Sequence, residues 1–263
     1  MENLTITLIQ TSLFWEEQQK NLDHFRGLID GIQQQSDLIL LPEMFNTGFS
    51  INPEFCAEPM DGPSMLFIRE MAISKQTAVA TTLLVMDDGE YVNRLIFYYP
   101  DGSLRTYDKR HLFRLSEEIN IFKGGDKRVV IPLKGWNLMP MICYDLRFPV
   151  WSKNRMIEGE YEYDLLLYLA NWPIVRSHAW KALLLARAIE NLAFVAGVNR
   201  VGIDGNGMDH TGDSMVVDAK GNILFQASAG EEIVKTITLN YDDMKLFRDS
   251  FAFGLDWDTF TIH

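Results

Sequence analysis

The chain has 263 residues, and 24 Lys and Arg against 36 Asp and Glu give a formal net charge of −12. That balance argues against nucleic acid and anionic membrane as partners, because both need a cationic surface. With 47% hydrophobic and 23% charged residues, the make-up is that of a globular protein long enough to bury a large core.

The first residues, Met1-Glu2-Asn3-Leu4-Thr5, lack the basic region and long apolar stretch of a secretory signal. The uncharged stretch around the hydrophobic peak, 165–175, is about half of the roughly 20 residues a membrane-spanning helix needs. A cytoplasmic protein is expected. Two cysteines, Cys56 and Cys143, leave no disulfide framework and no cysteine-rich zinc module.

In chain order, Leu4, Ile6 and Leu8 alternate as a strand does. Across 15–34, Leu22, Phe25, Leu28, Ile29 and Ile32 recur at helical spacing. Residues 38–41 form a short apolar run, the pattern of a strand buried on both faces, and a second helix is expected over 64–74. Residues 77–86 and 91–99 read as paired strands around Asp87-Asp88-Gly89, and Pro100-Asp101-Gly102 as a tight turn. Further strands are expected at 128–132, 138–143, 164–170 and 194–199, with a helix over 178–192. A hairpin is expected at 214–226 around Ala219-Lys220-Gly221. No linker divides the chain, so residues 1–263 read as one mixed α/β domain with a sheet covered on both sides.

The sequence has no GxSxG, HExxH or Walker A motif. Gly202-Ile203-Asp204-Gly205-Asn206-Gly207 has reversed spacing for a dinucleotide fingerprint, and the histidines (His24, His111, His178, His210, His263) lack metal-ligand spacing. No metal and no cofactor are expected. What remains is a set of polar residues that follow apolar runs. Cys143 closes one strand and enters a turn, which is either the geometry of a nucleophile elbow or a small buried thiol. Glu43 follows 38–41, where an α/β sheet gathers its ligands, or else is a solvated loop acid. Taken alone, Lys109 reads as a surface lysine, Glu118 as part of a charge run, and Asn171 and Trp172 as residues after another apolar strand.

Together these segments resemble the nitrilase-like carbon–nitrogen hydrolase superfamily. Leu41-Pro42-Glu43-Met44 is similar to its glutamate motif, Lys109-Arg110-His111-Leu112-Phe113 to its lysine motif, and Cys143-Tyr144-Asp145-Leu146-Arg147-Phe148-Pro149 to its cysteine elbow. Ala170-Asn171-Trp172-Pro173, Arg187-Ala188-Ile189-Glu190-Asn191 and Gly212-Asp213-Ser214-Met215 continue the likeness in order, so it covers essentially the whole chain.

The resemblance implies a four-layer α-β-β-α sandwich and a catalytic set of Glu43, Lys109 and Cys143, with Glu118 as a supporting glutamate. In that reading Cys143 is the nucleophile and Glu43 the general base. Lys109 and the backbone N–H of Tyr144 serve as oxyanion donors. It also implies a homodimer or larger homo-oligomer, with a C-terminal tail, 246–263, docking at the subunit interface.

Within the superfamily the motifs look most like the bacterial omega-amidase branch, whose substrates are small 2-oxo acid amides carrying a carboxylate. Arg147, Arg176 and Arg114 are candidates to bind that carboxylate, Arg147 having an equal reading as a structural residue behind the elbow. Trp172 and Asn171 are expected to line the pocket. A deaminated-glutathione amidase, an N-carbamoyl amidase, a nitrilase and a catalytically inactive binding relative are the alternatives.

Overall fold

The computed structural model describes residues 1–262; His263, the last residue of the tail, lies outside the described residues. Side-chain alternation along β1 (Leu4–Gln10) sets up the layering. Leu4, Ile6 and Leu8 face one apolar cluster, and Ile9 faces another on the opposite side.

The chain continues through α1 (Gln18–Asp30), β2 (Leu38–Leu40), α2 (Pro53–Cys56), α3 (Pro63–Lys75), β3 (Ala78–Asp87), β4 (Glu90–Tyr98) and β5 (Leu104–Asp108). Next come α4 (Glu118–Ile121), β6 (Ile131–Leu133), β7 (Trp136–Ile142), α5 (Pro149–Ser152), β8 (Met156–Ile157), β9 (Glu160–Tyr161), β10 (Leu165–Leu169) and α6 (Ser177–Asn191). The last part holds β11 (Phe194–Val198), β12 (Val201–Ile203), β13 (Asp209–Thr211), β14 (Met215–Val217), β15 (Ile223–Gln226), β16 (Ile233–Leu239) and α7 (Tyr241–Ser250).

Two six-stranded sheets result, in the orders β16-β1-β2-β3-β4-β5 and β15-β14-β11-β10-β7-β6. Each has three parallel strands at its centre, β1, β2 and β3 in one and β7, β10 and β11 in the other, flanked by antiparallel strands. The main core lies between the sheets, where Leu38, Leu40, Ala78, Leu95 and Phe97 meet Leu138, Leu165 and Leu167. On the outer face of the first sheet, Phe25 and Ile29 of α1 and Ile68 and Met71 of α3 cover Ile39, Val79 and Ile96. On the outer face of the second, α6 brings Trp180 and Leu184 against β11. A Cβ at Gly197 would come within 2.6 Å of Leu184, so the glycine is what allows this close approach. The order of layers is α-β-β-α.

Several expectations shift by a few residues. The strand foreseen at 128–132 pairs only over Ile131–Leu133. The helix foreseen over 178–192 ends at Asn191, because Leu192 turns left-handed as its cap. Cys143 leaves the strand and opens a 3-10 turn, Cys143–Arg147. The tail begins inside α7, which Arg248 anchors through Asp164 (2.7 Å) and the carbonyls of Leu192 and Tyr163. Further on, Trp257 packs on Tyr161 with the Lys153 Nζ 3.7 Å from its ring centroid, while Phe251 and Leu255 remain exposed.

Candidate active site

Parallel strands of both sheets end at one edge, and the residues that follow them carry the chemistry. Glu43 lies three residues beyond β2, Cys143 directly follows β7, and Asn171 comes two residues after β10. Lys109 directly follows the antiparallel strand β5. Glu43, Lys109 and Glu118 are almost wholly buried. Lys109 Nζ donates to Glu43 Oε1 (3.0 Å) and to Glu118 Oε1 (2.9 Å) and Oε2 (3.2 Å). Glu43 is held from three further directions. Asn93 Nδ2 donates to its Oε1 (2.8 Å), the Asn171 N–H to its Oε2 (2.9 Å), and Asn171 Nδ2 to its backbone carbonyl. Glu118 also accepts the Phe113 N–H.

Two carboxylates around one ammonium in a dry site shape the titrations. Burial pulls Lys109 down, but Glu118, Glu43 and Cys143 more than offset this and hold it above its ordinary value. Burial and Glu43 push Glu118 up against the opposing pull of Lys109. Burial, then the adjacent Glu43 carboxylate, push the Cys143 thiol well above its ordinary value, with Lys109 pulling the other way. Cys143 is therefore a protonated thiol lying against a carboxylate.

The elbow is strained and braced. Cys143 sits at φ +41°, in the left-handed region that a residue with a side chain adopts only when its surroundings impose it. Asp145, wholly buried, supplies the brace. Its Oδ2 accepts the Ile142 N–H (3.0 Å) and the Tyr107 hydroxyl (2.7 Å), and its Oδ1 faces the His111 N–H (3.0 Å) and Nδ1 (2.7 Å). One carboxylate thus ties the cysteine turn to the loop that carries Lys109. His111 stacks on Phe148 at 3.7 Å, and Arg187 Nη2 reaches the Leu146 carbonyl (2.6 Å) from behind.

Cys143 opens onto a cavity of about 270 Å³ whose walls include Phe49, Phe113, Tyr144, Trp172 and Met208, with Lys109 at its base. The expected pocket residues divide. Trp172 is a buried wall, fixed by Nε1 to the Arg176 carbonyl (2.8 Å). Asn171 lines the cavity, yet its N–H and Nδ2 are committed to Glu43. Arg147 and Arg176 both line the cavity, whereas Arg114 is exposed and does not. The place behind the elbow foreseen as one option for Arg147 is filled by Arg187. Asn93, Asp145, His111 and Arg187 had not been singled out as site residues. A buried asparagine inside an apolar strand is a signal for Asn93, but the reach of Asp145 to a loop 34 residues away leaves no local trace. The 202–207 segment, which is no nucleotide motif, runs from the end of β12 into the β12–β13 turn and brings Asp204 and Asn206 to the cavity wall.

The sequence profile of the carbon-nitrogen hydrolase family matches residues 5–249. The chain belongs to the carbon–nitrogen hydrolase family. It is a hydrolase of amide carbon–nitrogen bonds. Over 262 residues this hydrolase is 41% identical to omega-amidase YafV of Yersinia enterocolitica, with all of both chains covered. It is 28% identical to a 2-oxoglutaramate amidase of Bacillus subtilis (strain 168), covering 88% of this chain and 89% of the relative. Its structure superimposes with a TM-score of 0.98, at 42% identity and full coverage of both chains, on XC1258 from Xanthomonas campestris, a superfamily protein with an arsenic adduct in its active site. The same sandwich recurs in Saccharomyces cerevisiae Nit3 with a TM-score of 0.82 at 24% identity, covering 95% and 94% of the two chains. Among the described residues of this hydrolase, no helix is long and apolar enough to cross a membrane.

Proposed function

We propose that this hydrolase is an omega-amidase that releases ammonia from the terminal amide of a small 2-oxo acid, 2-oxoglutaramate or 2-oxosuccinamate, through a thioester on Cys143. The observation that carries the reading is the half-buried thiol of Cys143 set against a buried Glu43–Lys109–Glu118 cluster at the base of a small cavity. Full-length similarity to proteins named omega-amidase and 2-oxoglutaramate amidase supports the choice of amide. At about 270 Å³ the cavity is near the small end of ligand sites, which suits a five-carbon acid.

The chemistry follows from the positions. Glu43 takes the proton of the Cys143 thiol as the sulfur attacks the amide carbon. The oxygen that gains charge is met by Lys109 Nζ and by the N–H of Tyr144, the second residue of the 3-10 turn, whose N–H helix geometry leaves without a partner inside the turn. The carbon–nitrogen bond breaks and Glu43 passes its proton to the departing ammonia. A water then gives a proton to Glu43 and its oxygen to the acyl carbon. The thioester breaks, and the proton returns to sulfur. Glu118 acts through Lys109, which it orients. Asn171 holds Glu43 where each of these proton transfers needs it, and Trp172 limits the length of the acyl chain.

A substrate panel tests the amide. Purified enzyme should release ammonia rapidly from 2-oxoglutaramate or 2-oxosuccinamate and slowly from glutamine and an N-carbamoyl amino acid. Preferred turnover of the carbamoyl substrate would move the assignment to another branch of the family, and silence on every amide would favour an inactive relative. We also propose a homo-oligomer in which the exposed tail residues Phe251 and Leu255 meet a second copy.

A further inference from the structure

Arg147 and Arg176 enter the cavity from different elements, each as the last residue of a 3-10 turn: Cys143–Arg147 for one and Ile174–Arg176 for the other. Neither makes an ion pair with a carboxylate among the described residues. Each lies instead over an aromatic wall. The Arg147 Cζ is 4.8 Å from the centroid of Trp172, and the Arg176 Cζ is 5.2 Å from that of Phe113. Both side chains are half-buried. They also feel one another: burial first, and then the charge of Arg147, make protonation of Arg176 less favourable.

Two like charges without a counter-ion, partly desolvated in one cavity, are costly in a protein where acidic residues outnumber basic ones by 36 to 24. An anion in the cavity would relieve that cost. The other cation there, Lys109, is already committed to Glu43 and Glu118. Asp204 also lines the cavity, but its Oδ1 accepts the N–H groups of Asn206 (2.8 Å) and Met208 (2.9 Å) and caps its own turn.

We propose that Arg147 and Arg176 together form the carboxylate subsite, and that the pair selects a 2-oxo acid amide over the corresponding 2-amino acid amide. This rests on the omega-amidase reading above. Both guanidinium groups carry only donors. A 2-oxo acid presents only acceptors to them, its carboxylate oxygens and the neighbouring oxo oxygen. A 2-amino acid such as glutamine puts an ammonium in place of the oxo group, setting a third cation and three more donors against the pair. Selection therefore comes from repulsion of the amino acid as much as from attraction of the oxo acid. The aromatic platforms hold the planar guanidinium groups in place, which a lysine would not reproduce.

The test compares kcat and KM for 2-oxoglutaramate, glutamine and uncharged pentanamide in the wild type, Arg147→Gln, Arg176→Gln and Arg176→Glu. Each glutamine variant should raise KM for 2-oxoglutaramate about 10- to 100-fold, with a smaller change in kcat. The preference for 2-oxoglutaramate over pentanamide should narrow in parallel. Arg176→Glu should narrow the preference over glutamine the most. Binding is read separately as the protection that 2-oxoglutarate gives Cys143 against iodoacetamide, and thermal unfolding verifies that each variant is folded. Arg147→Lys, which keeps the charge, covers the case where Arg147→Gln does not fold, and should lose affinity through the lost stacking. Unchanged KM ratios and unchanged protection in folded variants would overturn the proposal. Protection without turnover of the oxo acid amide would keep the subsite and remove the omega-amidase reading. Turnover with no preference over pentanamide would do the reverse.

Discussion

The Glu43 side chain bears on the Cys143 thiol, and the sign of that effect can be measured. Burial and the Glu43 carboxylate both push the thiol up, so it stays protonated in the free enzyme until base and nucleophile act together. Glu43→Gln removes the negative neighbour and leaves Lys109 in place. The thiolate then forms at lower pH, even as hydrolysis loses its base. Iodoacetamide alkylation of Cys143 in Glu43→Gln should therefore follow a pH profile displaced to the acid side of wild type, while turnover falls by about 10²- to 10⁴-fold. An alkylation profile displaced toward alkaline pH would mean that Glu43 does not bear on the thiol in this way. Of these residues, Glu43, Lys109 and Cys143 could be named because each sits in a motif with a fixed chain order, and Glu118 by its position after the lysine motif. Asn93 could not, because its claim on Glu43 arises only when β3 pairs with both β4 and β2, the strand before Glu43.

At the scale of elements, the cysteine turn and the lysine loop come from different sheets, and Asp145 joins them. An asparagine there keeps one acceptor oxygen and turns a donor toward the other pair of partners. Whichever way the amide faces, a buried backbone N–H of Ile142 or His111 loses its acceptor, at about 1–3 kcal/mol. Asp145→Asn should unfold at lower urea and also lose at least about tenfold in kcat, since small displacements at a reacting centre are costly. A lower urea midpoint with kcat unchanged would make Asp145 a folding residue only. Strands with strong apolar patterns, such as β2, β7, β10 and β11, were readable from the sequence within a residue or two. β16 was not, because it is half-exposed and its order comes from pairing with β1 at the far end of the chain, where Thr5 and Thr7 bond Thr238 and Thr236. The β12–β13 hairpin was missed for a similar reason. Three-residue strands carry too little periodicity to stand out, and this pair is defined by where its turn lands.

For the whole molecule, local pattern established a mixed α/β domain, while the four layers came from the resemblance, since nothing local tells two packed sheets from one. The tail is the region on which the proposed homo-oligomer rests. Its inner side is fixed by Arg248 and by Trp257 against Tyr161, and its outer side leaves Phe251 56% and Leu255 72% exposed. Exposed residues of this size, grouped on one tail, are the pattern of an interface. Light scattering on a sizing column should give a homo-oligomer for the wild type, and a smaller species for a Phe251→Asp, Leu255→Asp double variant. A monomeric wild type, or a double variant unchanged in mass, would contradict the assembly.

In the proposed mechanism Cys143, activated by Glu43 and Lys109, attacks the terminal amide of a 2-oxo acid. The most direct measurement is ammonia release from 2-oxoglutaramate by the wild type and Cys143→Ala, with both proteins verified as folded by thermal unfolding. Rapid release by the wild type and none above background from the variant is the predicted result. Activity near wild type in Cys143→Ala would contradict the mechanism, and a wild type inert toward the oxo acid amide would contradict the substrate.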